Sequence, residues 1–254
     1  MRLFDTHAHY DDEAFDADRD EVLSTFDGLV IDPGCTLASS QAAVDLAARH
    51  PNVYAAVGIH PENCGDFLPE HIDVLRRLAQ QPKVVAIGEI GLDYYWAENP
   101  PREFQQQVFR AQLELALELD LPVIVHDREA HGDSLAIVRD YPALRGVFHC
   151  YSGSVEMARE LLALGWYLGF DGPVTYKNAR KTVEVAEMAP LDRILIETDS
   201  PYMSPVPMRG KRNDSRNVLY IAEKLAQLKG MTTEEMAELT GVNGKRLFNI
   251  VKIL

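Results

Sequence analysis

Two histidines separated by one residue stand near the beginning of the sequence, in the segment Asp5-Thr6-His7-Ala8-His9. The apolar pair Leu3-Phe4 precedes them, as at the end of a buried strand. Residues two apart in an extended strand point to the same side, with Cα atoms about 6.5 Å apart. His7 and His9 can therefore reach one ion, and imidazole suits borderline metals such as zinc. A His-x-His pair alone is a weak signal, and two polar residues at a strand end are the alternative.

Further metal-binding residue types recur in the same setting, directly after short apolar runs. The predicted metal ligands are His7, His9, Glu89, His126, His149 and Asp199, and a fifth histidine, His60, shares the position. Four imidazoles and two carboxylates exceed the needs of one four-coordinate ion, whereas two ions about 3.5–4 Å apart with a bridging carboxylate use them all. Glu89 is the predicted bridge. Asp199 is predicted to bind one ion and to accept a proton from water, so these two are the predicted catalytic residues.

Each of these residues taken singly has a plain alternative, which is a satisfied polar group at a strand end. For Glu89 or Asp199 alone the two interpretations are about evenly matched. For the complete set the alternative is much weaker, because acids and histidines converge on one predicted region.

Short apolar strands that alternate with helices are predicted to position these side chains. Strands are predicted at residues 3–4, 28–34, 53–59, 84–87, 121–125, 146–148, 166–170 and 193–196. Helices are predicted within 10–26 and at 36–50, 67–80, 101–120, 134–141, 155–164, 179–188, 217–230 and 232–254. Most of these strands are apolar on both faces, as the strands of a buried parallel sheet are.

Such an alternation is typical of a closed barrel or of an open doubly wound sheet. The open sheet usually has a glycine-rich nucleotide loop after its first strand, where this chain has His-x-His instead. Polar residues also follow seven of the eight predicted strands. Because all strand ends of a barrel meet on one face, we predict an α/β fold, an eight-stranded parallel (β/α) TIM barrel. We expect it to form a single domain over residues 1–254.

Composition limits the classes of protein to which the chain can belong. The 25 basic residues are outnumbered by 39 acidic ones, for a formal net charge of −14, which disfavours a general nucleic-acid coat protein. No run approaches the ~18 apolar residues of a membrane span, and the N-terminus lacks a charged-then-apolar leader. We therefore expect a cytoplasmic protein without membrane contact, and no obligate protein partner is evident. The odd number of cysteines (Cys35, Cys64 and Cys150) argues against a disulfide framework. Cys150 directly follows His149 and could be a ligand, but a packed, reduced thiol is expected because the next residue of a strand faces the other way.

Seven ordered motifs together resemble the TatD family of metal-dependent deoxyribonucleases, over essentially the whole chain. They are Asp5–His9, Gly58–Pro61, Gly88–Tyr94, His126–Arg128, His149–Gly153, Gly172–Asn178 and Glu197–Pro201. The resemblance implies a barrel of the amidohydrolase superfamily with two divalent ions, usually Mg²⁺, Mn²⁺ or Zn²⁺. It implies one ion held by His7, His9 and Asp199 and another held by His126 and His149, with Glu89 shared. It places His60 close by, as a group that binds substrate or supports a ligand.

The activity that the resemblance implies is hydrolysis of DNA phosphodiester bonds, often as a 3′-to-5′ exonuclease, with single-stranded or frayed ends as the expected substrate. An amide or ester hydrolase on the same scaffold, such as a D-aminoacyl-tRNA deacylase, is the alternative. A non-catalytic metal-binding protein is disfavoured by the complete ligand set. One loop departs from the family pattern Arg-Gly-Lys-x-Asn-Glu-Pro, because Arg209–Ser215 ends in Asn-Asp-Ser. This change bears on the shape of the loop and on substrate preference.

Basic and aromatic residues near the strand ends have two interpretations each. Arg128 and the cations of the loop 209–216 can contact phosphates, or they can form a solvated rim. The aromatic run Tyr94–Trp96 can stack on bases or pack against a neighbouring loop. Asp5 and Glu197 each lie two residues before a predicted ligand, where they can orient an imidazole or simply pack inside the barrel.

Overall fold

The computed structural model describes residues 2–250, in which eight parallel strands follow one another in sequence order. The strands are β1 (Leu3–Asp5), β2 (Gly28–Pro33), β3 (Val53–Val57), β4 (Val84–Asp93), β5 (Val123–Arg128), β6 (Gly146–Phe148), β7 (Tyr167–Phe170) and β8 (Ile194–Ile196). The backbone N–H of Thr6 donates to Ile196 O (3.2 Å) and that of Asp199 to His7 O (2.9 Å). These bonds join the last strand to the first, so the predicted eight-stranded barrel is confirmed.

Helices connect the strands and surround the barrel. They are α1 (Arg19–Thr25), α2 (Leu37–Arg49), α3 (His71–Ala79), α4 (Arg102–Leu119), α5 (His131–Arg139), α6 (Val155–Ala163), α7 (Arg180–Met188), α8 (Val218–Lys229) and α9 (Thr233–Leu247). The third helix begins four residues later than predicted, because a 3₁₀ helix over Pro61–Asp66 precedes it. The last helix ends at Leu247, so the prediction that it continues through residues 248–250 is wrong, and residues 251–254 lie outside the described residues. Within residues 2–250 no helix combines the length and apolar character needed to cross a membrane.

The strands bury apolar side chains on both faces, as predicted from their composition. One set, which includes Phe4, Ile31 and Leu195, fills the barrel interior together with residues that follow α9. The ring of Phe248 lies 6.5 Å from that of Phe4, at the end of the barrel where the strands begin. The other set packs between the strands and the surrounding helices. Full burial of such side chains stabilises the fold by about 1.5–3 kcal/mol each.

The fourth strand is longer than predicted and continues to Asp93 instead of ending at Ile87. Its pairing with β5 shifts between Ile87 and Ile90, so Glu89 lies in an irregular stretch inside the strand. Gly91 has φ +145°, and a Cβ there would lie 2.0 Å from His126 O. Only glycine allows this close approach of β4 to β5. Gly91 therefore permits the strand to continue beyond its predicted end.

Candidate metal centre

His7 and His9 lie just beyond β1, at the end of the barrel where all strands finish. The segment is held in place because Ala8 N donates to Ile31 O (3.0 Å) and His9 N donates to Ser200 O (2.7 Å). The two Nε2 atoms are 3.1 Å apart. Each faces Glu89 Oε2, at 3.4 Å from His7 and 3.5 Å from His9. Asp199 Oδ1 approaches the same two nitrogens, at 3.8 and 3.6 Å.

The second oxygen of Glu89 faces a different set of histidines. Glu89 Oε1 lies 2.7 Å from His149 Nε2, 3.0 Å from His126 Nδ1 and 3.5 Å from His60 Nε2. The carboxylate thus stands between two groups of imidazoles, which is the arrangement expected of a bridge. The structure brings together all the sequence-predicted ligands and adds His60 as a neighbour of Glu89 and His126, near enough for the three to share one ion.

The donor set fits divalent cations by its own geometry. Two imidazole nitrogens and carboxylate oxygens that face one another within 4 Å need a proton or a cation between them. His7 is fully buried and Glu89 is 2% exposed, so bulk water does not screen these contacts. Burial and the neighbouring His149 lower the pKa of His7 to about 4. Burial alone would raise the pKa of Glu89, but the surrounding histidines hold it well below its usual value. His7 and Glu89 thus form a neutral imidazole beside an ionised carboxylate, the protonation state that binds metal. Burial alone would lower the pKa of His9, His126 and His149, but neighbouring acidic groups outweigh it and raise the pKa, so these imidazoles release a proton when they bind an ion.

Asp93 supports His126 from behind, a contact that the sequence analysis did not predict. Its Oδ2 lies 3.0 Å from His126 Nε2, while its Oδ1 accepts bonds from Tyr95 N (2.9 Å) and Asn99 Nδ2 (3.0 Å). Donation of the Nε2 proton to Asp93 leaves the Nδ1 lone pair directed toward Glu89. Asp93 was overlooked because β4 was predicted to end before it. The register that pairs Asp93 with Arg128 would have shown that it lies beside His126.

The two interpretations of Glu197 and Asp5, orienting an imidazole or packing inside the barrel, divide between the two residues. Glu197 Oε1 lies 3.7 Å from His149 Nδ1, so it neighbours an imidazole of another strand, and burial raises its pKa to about 8. Asp5 instead accepts bonds from Thr198 Oγ1 and Ser215 Oγ, both at 2.6 Å. Packing inside the barrel is therefore the interpretation that fits Asp5, whose carboxylate fixes the chain around Asp199. Ser215, one of the residues that depart from the family pattern, supplies one of these bonds.

All three cysteines are free, as expected, but they differ in burial. Cys64 is buried, whereas Cys35 and Cys150 are half-buried beside the cluster. Cys35 Sγ lies 3.9 Å from His9 Nδ1 and 3.8 Å from Glu89 Oε2. Cys35 is therefore a direct neighbour of the predicted ligands, which its position in the sequence did not indicate.

The histidines and acids open into a cleft of about 810 Å³, which is within the range of small-molecule sites. Arg128 and Trp96 also line this cleft. Two cations of the loop 209–216 are already paired with carboxylates. Arg212 donates to both oxygens of Asp18 at 2.7 Å, and Arg216 donates to Asp214. Because both guanidiniums already have carboxylate partners, the structure disfavours phosphate contacts for these two arginines.

The aromatic run Tyr94–Trp96 divides between the two interpretations. Tyr94 packs under Arg102, whose guanidinium lies 4.4 Å from its ring centre, and its hydroxyl donates to Asp133. The next two rings are exposed instead. Packing against the neighbouring helices thus applies to Tyr94 alone.

Comparison with known proteins agrees with this geometry. A family model described as TatD related DNase matches residues 4–249. A Bacillus subtilis (strain 168) relative named uncharacterized metal-dependent hydrolase YabD is 43% identical over 254 residues, 98% of this chain and 99% of the relative. An Erwinia tasmaniensis relative named 3′-5′ ssDNA/RNA exonuclease TatD is 36% identical, over 98% of this chain and 100% of the relative.

Solved structures of similar fold agree with the family match. The crystal structure of YjjV, a TatD homologue from Escherichia coli K12, has a TM-score of 0.92 and 32% identity, and the match covers 98% of this chain and 99% of that chain. A phosphotriesterase homology protein from Escherichia coli is similar in fold alone, with a TM-score of 0.65 at 17% identity over 97% and 98% of the two chains. This chain is therefore a metal-dependent hydrolase that belongs to the family of TatD-related DNases.

Proposed function

We propose that this protein is a two-metal deoxyribonuclease that removes nucleotides from the 3′ ends of single-stranded or frayed DNA. The observation that carries the proposal is the carboxylate of Glu89, whose two oxygens face two different sets of histidines. Two adjacent cations suit an in-line displacement at phosphorus, because they balance charge on the attacking and the leaving oxygen. The name of the Erwinia tasmaniensis relative, an ssDNA/RNA exonuclease, supports a nucleic-acid substrate.

The residues divide into two groups in this proposal. His7, His9 and Asp199 would hold one ion and His126 and His149 the other, with Glu89 shared between them. When bound, Mg²⁺, Mn²⁺ or Zn²⁺ would polarise the phosphodiester and make water nucleophilic at neutral pH. We assign these roles to a single domain over residues 1–254.

The chain's own side chains account for the remaining steps. Asp199, whose carboxylate lines the cleft, would accept the proton of the attacking water. His60 and Arg128 line the same cleft and would position the substrate phosphates. Asp93 would keep the ring of His126 in its orientation through the contact at 3.0 Å.

A labelled single-stranded oligonucleotide, incubated with each of the three ions, tests the proposal. We expect stepwise shortening from the 3′ end, which a chelator abolishes and added metal restores. Asp199→Asn should lower turnover by orders of magnitude while at least one ion remains bound, because an amide offers an oxygen ligand but accepts no proton. A panel of amides, esters and aminoacyl-tRNA serves as the comparison. Much faster hydrolysis of a carbonyl substrate would replace the nuclease with an amide or ester hydrolase.

A further inference from the structure

Two aromatic rings and one arginine form an exposed cluster at the mouth of the cleft, and the metal centre does not use them. Tyr95 is 52% exposed and Trp96 is 44% exposed. Their ring centres are 4.7 Å apart and the rings are nearly perpendicular. The guanidinium of Arg128 lies 3.9 Å from the Tyr95 ring centre and 5.4 Å from that of Trp96. Apart from their contact with Arg128, much of the surface of these two rings faces solvent, so an apolar ligand can stack on it.

Two members of the cluster open on the metal centre itself. Trp96 and Arg128 line the same cleft as Glu89, His126 and Asp199. Among the described residues that line this cleft, Arg128 is the only lysine or arginine. Its guanidinium forms no hydrogen bond or ion pair with another side chain within residues 2–250, so its N–H groups are available to a ligand. A stacked arginine with free N–H groups suits a phosphate beside an aromatic surface.

The protein holds this cluster in a fixed relation to the ligands. Asp93, which contacts His126, also accepts the backbone N–H of Tyr95 at 2.9 Å. Tyr94 N donates to Arg128 O at 2.9 Å, which ties the loop after β4 to the end of β5. The carboxylate of Asp93 therefore fixes the positions of both the His126 ring and the backbone of Tyr95, where the aromatic segment begins.

We propose that Trp96, Tyr95 and Arg128 form a subsite that stacks one unpaired base of a nucleic-acid strand and binds its phosphate. The proposal rests on the proposed nuclease function and names the feature by which that site selects single strands. A base inside a duplex is covered by its neighbours on both faces, whereas a single-stranded base has a face free to stack on an aromatic ring. The subsite holds a base beside the metal centre, so it favours single-stranded or frayed ends over paired ones.

Tryptophan fluorescence tests the subsite without any reaction. The chain has two tryptophans, and Trp166 is buried with 1% exposure, so a ligand that stacks on the surface reaches Trp96 alone. With a chelator present, oligothymidylate should quench the emission to a saturable limit. An abasic oligonucleotide of the same length carries the phosphates but no bases, and it should quench far less. Equal quenching by both, or none by either, would overturn the subsite.

Kinetics with the metal-loaded protein supply the second measurement. Trp96→Leu should raise KM for a single-stranded oligonucleotide by roughly ten-fold or more, in line with the effect of removing one stacking ring, and kcat should change less. Trp96→Phe should restore most of the loss. Leu117→Ala removes an exposed apolar side chain from α4 and serves as the matched control, with an unchanged KM.

The outcomes separate the subsite from the nuclease proposal. Cleavage of DNA with the same KM in wild type and Trp96→Leu overturns the subsite while the nuclease proposal stands. Base-dependent quenching without cleavage under any ion overturns the nuclease proposal and supports the subsite. The preference for single-stranded over duplex substrate should also shrink in Trp96→Leu, and an unchanged preference counts against the inference.

Discussion

At the scale of single residues, the proposed chemistry depends on Glu89. Its side chain is buried, and its two oxygens contact imidazoles that come from four different strands. The sequence predicted this role because a carboxylate lay between two groups of strand-end histidines. It did not predict Asp93 or the proximity of Glu197 to His149, because these contacts depend on strand length and register and not on the spacing of residues.

Glu89→Gln should lower the metal content of the purified protein, which we expect to be about two ions per chain in wild type. An amide keeps one oxygen ligand but loses the charge that a shared ligand gives to both ions. Metal analysis after gel filtration measures the change. Glu62→Gln, an exposed acid at the rim of the same cleft, is the matched control and should keep its metal. Full occupancy in Glu89→Gln would contradict the bridging role.

Asp93→Asn should weaken binding of one ion about 10- to 100-fold, the usual effect of losing a carboxylate that orients a ligand histidine. The amide keeps the size of the side chain, so the fold should not change. Titration of the metal-free protein with Zn²⁺ should then show one weakened and one nearly unchanged step. If both steps are unchanged, His126 does not depend on Asp93 for its orientation.

At the scale of elements, α4 fixes the strand ends from outside the barrel. Gln112 is buried, accepts the N–H of Ile59 at 2.7 Å and donates to Ile59 O at 3.0 Å, directly before His60. About two turns earlier, Gln105 contacts Asp93 in the same way: its side-chain oxygen accepts the N–H of Asp93, and its amide nitrogen donates to Asp93 O. The helix itself was predictable from its pattern, but these two contacts were not, because glutamines inside an amphipathic pattern resemble ordinary surface residues.

Gln112→Leu should destabilise the fold by about 2–5 kcal/mol, because it leaves both the N–H and the carbonyl of Ile59 buried without a partner. Urea denaturation followed by circular dichroism measures the free energy of unfolding. Gln107→Leu changes an exposed residue of the same helix and should have little effect. Similar stabilities for the two variants would show that the paired contact to Ile59 contributes little.

At the scale of the whole molecule, the fold could be predicted from the sequence, but the positions of the unpaired charges could not. The barrel was predictable because apolar strands recur eight times along the chain and polar residues follow seven of them, and burial of both strand faces leaves few other arrangements. The distribution of free cations was not predictable. Arg212 is 194 residues away from its partner Asp18 in the sequence, and only the folded chain brings the two together. Fewer arginine side chains near the cleft are therefore free to bind a ligand than the number of cations in the loop 209–216 suggests.

The salt dependence of binding to single-stranded DNA should therefore depend on Arg128 and not on Arg212. Each phosphate contact to a single strand contributes about 0.7 to the slope of log affinity against log salt concentration. With a chelator present to prevent cleavage, Arg128→Met should lower this slope by about that amount. Arg212→Met is the matched control: it should leave the slope unchanged, because the guanidinium already binds Asp18, and it should lower stability modestly. A slope that changes with Arg212 and not with Arg128 would place the phosphate contacts in the loop after β8.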